Sequence, residues 1–132
     1  IAGPTLTALL AESSESGGLE QSLRVRLAFE LADGLAYLHS HSVVLCNLSP
    51  ENIKLAMRAN KLHAKILTGE VKPNTACLWA APEVYLNSIG IVQAIGPSAD
   101  IFSLGLILWQ LVACKLPFAD QPWGITVQRM AR

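Results

Sequence analysis

The longest periodic signal in the chain is a run of leucines. Leu19, Leu23, Leu27, Leu31, Leu35 and Leu38 recur at spacings of four, four, four, four and three. That spacing stacks them on one helical face, so a helix is predicted over 19–41 with its leucine stripe against the core. Glu20, Arg24, Arg26, Glu30 and Asp33 mostly fall off the stripe. Gly34 costs about 1 kcal/mol relative to alanine inside a helix, which points to close packing against a neighbour. Ahead of this helix, Leu6, Leu9 and Leu10 predict two turns over 5–12. Ser13-Ser14-Glu15-Ser16-Gly17-Gly18 then has the composition of a flexible loop.

Beyond the long helix the period shortens. Val43-Val44-Leu45, the run 53–57 and the run 64–67 read as short strands, with Arg58-Ala59-Asn60-Lys61 a polar turn between the last two. The loop 46–52, carrying Pro50, lies among them, and a loop held this way often supports a site. Pro73 and Asn74 predict loop over 71–80. Ala81-Pro82-Glu83-Val84-Tyr85 opens a short helix with proline tolerated in its first turn. Gly90, Gly96 and Pro97 leave 87–97 irregular. Ser98 is a reasonable N-cap for a helix over 99–114, and Asp100 in its first turn suits the helix dipole. That helix is apolar nearly all round and is predicted to be buried on every side. A last helix begins at Thr126.

Composition narrows the function classes. With 52% hydrophobic and 15% charged residues, the 132-residue chain is not intrinsically disordered. Its length suits one domain or part of a larger one. Ten Lys and Arg balance ten Asp and Glu, so no basic excess draws the chain to nucleic acid or an anionic membrane. Lys61, Lys65 and Lys72 read as a sparse solvated set. The most apolar run, 101–114, is interrupted by Ser103, Gly105 and Gln110 and falls short of the ~20 residues that a membrane span needs. No leader pattern opens the chain, and Ile1 stands where a Met would, which fits a fragment or a processed product. Cys46, Cys77 and Cys114 are odd in number, widely spaced and form no C-x-x-C. They point to free thiols in a reducing compartment, hence to the cytoplasm, and away from disulfides or zinc. His39 and His41, two apart on a helix, face different ways and do not share a metal. Cys46 lacks an orienting partner for nucleophilic work and reads as a packed thiol. Trp79, Trp109 and Trp123 lack the interleaved cations of a nucleic-acid platform and read as packing.

Three segments, in order, carry a resemblance. Gly34-Leu35-Ala36-Tyr37-Leu38-His39-Ser40 followed by Leu45-Cys46-Asn47-Leu48-Ser49-Pro50-Glu51-Asn52 resembles the end of a long helix and the catalytic loop H-R-D-L-K-P-E-N. Ala81-Pro82-Glu83 resembles the A-P-E motif, and Asp100-Ile101-Phe102-Ser103-Leu104-Gly105 the D-x-W-S-x-G start of a buried central helix. Together they resemble the C-lobe of a eukaryotic protein kinase. The leucine-rich helix and Leu45-Cys46-Asn47-Leu48-Ser49 look most like the tyrosine-kinase-like group, with Roco-type kinases a candidate. The implied fold is mainly α with a short β-ribbon, a kinase-like C-lobe in the α+β sense with the N-lobe absent. Residues 1–132 would be a partial domain, from a hinge-like Gly3-Pro4-Thr5-Leu6 through the helix after the A-P-E segment. No G-x-G-x-x-G and no V-A-I-K strand are present, nor the last C-lobe helices whose Arg would pair with Glu83.

The resemblance also implies what each loop position would do. Asn47 holds the place of the catalytic Asp, and a carboxamide cannot act as a base of useful pKa. Leu45 and Cys46 replace the His and Arg, and Ser49 the Lys that neutralises the γ-phosphate. Asn52 keeps the identity of the second-magnesium ligand. Where D-F-G belongs stands Leu67-Thr68-Gly69-Glu70: either Gly69 aligns as the motif's Gly or Thr68 as its Asp, and neither alignment puts a carboxylate at the metal position; Thr68 is a neutral oxygen donor and Glu70 the nearest carboxylate. The segment from Gly69 to Ala81 is short for an activation segment. Glu83 and Asp100 would be structural, Asp100 through the catalytic-loop backbone N–H groups. ATP and magnesium are the family cofactors, and none is expected for this chain. The function expected is a catalytically inactive pseudokinase segment acting through protein–protein contacts in signalling. Its partner would be another protein or the missing N-lobe, with no nucleic acid and no membrane span. Two alternatives remain open: a fragment of an ATP-binding Ser/Thr (tyrosine-kinase-like) protein kinase, and a truncated product without function.

Overall fold

The computed structural model describes residues 4–68, 79–84, 90 and 95–115. Expectations for Glu70, Lys72, Cys77, Trp123 and the helix from Thr126 lie outside these residues. Helix α1 spans Leu6–Ser16. Thr5 caps it through its hydroxyl, which accepts from Ala8 N–H at 3.4 Å, and Gly17 ends it at φ 98°. The helix therefore runs one turn past Glu12, and Ser13 to Ser16 are helical instead of looped. Ser13 is buried, and a left-handed glycine is the stop that the chain uses.

Helix α2 spans Gln21–Ser40 and buries Leu27, Leu31 and Leu35, the middle of the leucine stripe. Each fully buried leucine contributes about 2 kcal/mol. These three join Leu6, Leu10, Leu19, Leu48, Ile53, Leu55, Leu104, Ile107 and Leu111 in one cluster. Val43 to Leu45 form no strand and lead into the loop. A single 3-10 turn, Pro50–Asn52, closes that loop and feeds the ribbon.

The ribbon is an antiparallel pair, β1 (Ile53–Arg58) and β2 (Lys61–Ile66), with Ile53 opposite Ile66 and Arg58 opposite Lys61. Ala59 and Asn60 turn the chain at φ 52° and 63°. Two successive left-handed residues make the tight hairpin turn whose twist suits the strands. On the outer side of β1, Leu55 N–H donates to Pro4 O at 2.9 Å, and Thr5 bridges to Lys54.

Helix α2 lies along β2 in matched steps. Arg26 Nε donates to Leu62 O at 3.0 Å, Ala64 N–H donates to Glu30 Oε1 at 2.8 Å, and Gly34 faces Ile66. Four helical residues rise about 6 Å and two strand residues about 6.6 Å, so the steps stay in register. Glu30 Oε2 also meets His63 Nδ1 at 2.5 Å. Residues that lay off the leucine stripe thus clasp the outer edge of β2.

Helix α3 spans Pro97–Ala113, with Gly96 at the cap and Pro97 in the first turn, so Ser98 is already helical. It is apolar all round but not buried all round. Ala99, Asp100, Ser103, Leu104, Ile107, Gln110 and Leu111 face inward. Ile101 (55% exposed), Trp109 (46%) and Val112 (69%) face outward, with Gly105 between them. Composition alone could not separate these two faces, because both are apolar. Among the described residues, no helix is long and apolar enough to cross a membrane.

A Cβ built on Gly34 would meet its nearest neighbour, Ile66 Cδ1, at 3.5 Å, an ordinary contact. Close packing therefore does not require the glycine. Gly34→Ala is expected to stabilise the fold by roughly 0.5–1 kcal/mol through helix propensity. A rise in the urea midpoint at constant m-value checks this; a fall would mean that the helix cannot give way at Ile66.

Candidate catalytic-loop site

The site is assembled around Asp100, which is 0% exposed in the first turn of α3. Its Oδ2 accepts from Leu45 N–H at 2.8 Å and its Oδ1 from Cys46 N–H at 2.7 Å. His39 Nε2, from the last turn of α2, lies 2.9 Å from Oδ2. One carboxylate thus joins the end of α2, the start of the loop and the start of α3. A buried carboxylate is tolerated because it is paired and hydrogen-bonded. Cys46 has φ 61°, unusual for a residue other than glycine, asparagine or aspartate. This backbone costs on the order of 1–3 kcal/mol and persists because two successive N–H groups converge on Asp100. His41 turns elsewhere, to Tyr37 O and Ser40 Oγ, so the two helix-end histidines separate.

The rest of the loop holds itself. Asn52 is buried, and its Nδ2 donates to Asn47 O at 2.5 Å. Its backbone N–H donates to Ser49 O at 3.0 Å, and its carbonyl accepts from Leu67 N–H at 2.7 Å. Asn52 therefore ties the loop, the start of β1 and the end of β2 together. Asn47 is half-buried and Thr68, just past β2, is exposed. Ser49 is 0% exposed, and its hydroxyl has no hydrogen-bond partner. Leaving a buried hydroxyl unpaired costs about 1–3 kcal/mol.

The segment 79–84 docks on α3. Trp79 Nε1 donates to Gln110 Oε1 at 2.7 Å, and Ser103 Oγ donates to Trp79 O at 2.6 Å. Ala81 is buried, and Val84 N–H donates back to Ala81 O at 3.0 Å across the turn. Glu83 is half-buried and close enough to act on Cys46. Burial, then the carboxylates of Asp100 and Glu83, push the Cys46 thiol above its ordinary 9.0. The group at the Arg position is therefore a neutral thiol flanked by two acids. Among the described residues no cluster of three or more His, Cys, Asp or Glu side chains is placed to hold a metal.

Sequence reasoning named Asp100, Asn47, Asn52, Thr68 and Glu83; the structure brings Asn47 and Asn52 into contact, joins Asp100 to the loop, and adds His39 beside Asp100. Sequence reasoning missed Arg26 and Glu30, whose i, i+4 spacing on the polar side of α2 was the available signal.

A protein kinase domain family model matches residues 3–131. The chain is 35% identical over 112 residues to serine/threonine-protein kinase kin-29 of Caenorhabditis elegans, covering 79% of this chain and 13% of that protein. It is 31% identical over 115 residues to serine/threonine protein kinase OSK3 of Oryza sativa subsp. indica, covering 81% of this chain and 22% of that one. The chain belongs to the protein kinase domain family, and it spans less than a quarter of the length of either relative.

Two outcomes follow from the geometry. Asp100→Asn keeps the shape but sets an amide N–H₂ against backbone donors, and is expected to cost roughly 3 kcal/mol or more. Amide hydrogen exchange at Leu45 and Cys46 should accelerate with the stability loss; unchanged protection would remove Asp100 as the loop's anchor. With its thiol held above 9.0, Cys46 should alkylate more slowly than a free cysteine at pH 8 and speed up as pH rises past 9. A rate equal to that of the urea-unfolded chain at pH 8 would contradict the flanking carboxylates.

Proposed function

We propose that the chain is the C-lobe part of a kinase-like domain that transfers no phosphate and works by binding proteins in signalling. The observation that carries this reading is the contrast within one loop. Its anchor on Asp100 is complete, while the positions that would do chemistry carry neutral groups. Asn47 cannot accept a proton at useful pKa. Ser49 is a buried, unpartnered hydroxyl in the place of a phosphate-neutralising lysine. Asn52 commits its amide to Asn47 O. Asn47, Asn52 and Thr68 are neutral oxygen donors, and magnesium beside phosphates is held by carboxylates, so this donor set does not fit it. We therefore expect no resident ATP or magnesium. The free thiols suit a cytoplasmic protein, and the loop sequence suits the tyrosine-kinase-like group.

The second reading is an active, ATP-binding serine/threonine kinase. The names of the two relatives favour it, and so does Asn52 at a family metal position. The test uses the full-length protein that contains this segment, with [γ-³²P]ATP, magnesium and a generic protein substrate. Incorporation is expected at background, and Asn47→Ala should leave it unchanged. Incorporation above background that Asn47→Ala lowers by about 10²–10⁴-fold would establish phosphotransfer through this loop and overturn the reading.

A further inference from the structure

The register of the ribbon gathers cations that are scattered along the sequence. Alternate residues of a strand share a face. One face of the ribbon is Ile53, Leu55, Leu62, Ala64 and Ile66, packed on or in the core, with Met57 exposed at its end. The opposite face carries the rungs Lys54–Lys65, Ala56–His63 and Arg58–Lys61. Lys61 and Lys65, which read as sparse along the chain, thus belong to a patch with Lys54 and Arg58. The run 53–68 contains no Asp or Glu. Arg58, Lys61 and Lys65 are exposed.

Folding alone does not favour this arrangement, because like charges directly opposite each other destabilise a strand pair. Lysines often guard exposed strand edges, but here other groups occupy the edges. Arg26 and Glu30 take β2, while Pro4 and Thr5 take β1. We propose that this face of the ribbon docks an extended, Asp/Glu-rich segment of a partner protein across the Lys54–Lys65 and Arg58–Lys61 rungs.

The geometry favours a peptide. The two cationic rungs are four residues apart, about 13 Å, the span of four residues of an extended chain. The rung between them offers Ala56, small enough for a backbone to lie over it, and His63, whose partner Glu30 sets a carboxylate beside the middle of the patch. Positive groups on either side of the His63–Glu30 pair match spaced carboxylates better than a continuous row of phosphates. The face carries no Phe, Tyr or Trp on which bases could stack, and the chain has no net charge to hold a polyanion. This surface deepens the binding role proposed above. It stands apart from the loss of phosphotransfer, since the ribbon face can dock a peptide whether or not the loop is active.

The test is fluorescence anisotropy of the chain with a fluorescein-labelled dodecapeptide alternating Glu and Ser, beside the same peptide with Gln for Glu. The acidic peptide should bind and the Gln peptide should not, with affinity falling between about 50 and about 200 mM salt. Arg58→Gln with Lys61→Gln should weaken binding about tenfold, Lys65→Gln less, and Lys115→Gln, outside the ribbon, not at all. All four side chains are exposed. Far-UV circular dichroism and the urea midpoint establish that the variants fold; should the double variant not fold, Lys65→Gln decides. Equal binding of the Gln peptide, or wild-type affinity in the variants, overturns the proposal. So does displacement of the peptide by a single-stranded oligonucleotide or phosphatidylserine vesicles that bind more tightly. The phosphotransfer assay has a separate readout, so either proposal can fail alone.

Discussion

The described structure depends on one buried carboxylate. Asp100 sits where the end of α2, the beginning of the loop and the beginning of α3 meet, and it accepts from two successive backbone amides while contacting His39. Without it the left-handed turn at Cys46 has nothing to hold it. The loop carries Asn47, Ser49 and Asn52, so their position follows from that contact. The interaction is also economical in sequence: a single acidic residue in the first turn of a helix is at once favourable to the helix dipole and aimed at the loop.

A second constraint acts at the other side of α2. The helix uses its leucines for the core and its polar i, i+4 pair for the backbone of β2. The matched rise of helix and strand makes one helix both a packing surface and an edge cover. That grip explains how a two-stranded ribbon, marginal by itself, is held in place. It also sets which face of the ribbon looks outward, and so gathers Lys54, Arg58, Lys61 and Lys65 on one surface.

Between these two constraints the loop is held largely by its own backbone and side-chain hydrogen bonds. Asn52 bonds within it to Asn47 and Ser49, and Leu67, past β2, donates to the Asn52 carbonyl. The exception is Ser49, whose buried hydroxyl is unpaired. On the reading proposed above, a scaffold that keeps its anchor while Asn47 and Ser49 are neutral serves binding in place of proton and phosphate transfer. Membership in the protein kinase domain family places the scaffold, and residue chemistry supports the proposed role.

The sequence by itself determined what depends on local order. The leucine period defined α2 and its buried face, because a 3.6-residue repeat has only one way to bury such a stripe. The two β-type runs around a polar turn defined the ribbon to within three residues, and the motif order put Asn47 and Asn52 in the loop and Asp100 in the first turn of the later helix. Tertiary structure decided what depends on residues far apart in the chain. Val43 to Leu45 look like strand but find no partner, since a strand needs a neighbour to hydrogen-bond. The two apolar faces of α3 are alike in composition, and packing alone chose Ile107 and Leu111 for the core and left Trp109 and Val112 outside. The pairing of His39 with Asp100, the clasp of Glu30 on β2 and the joining of four cations on one ribbon face follow from register and helix placement. Those are cooperative properties of the packed chain, set by which surfaces can be buried together.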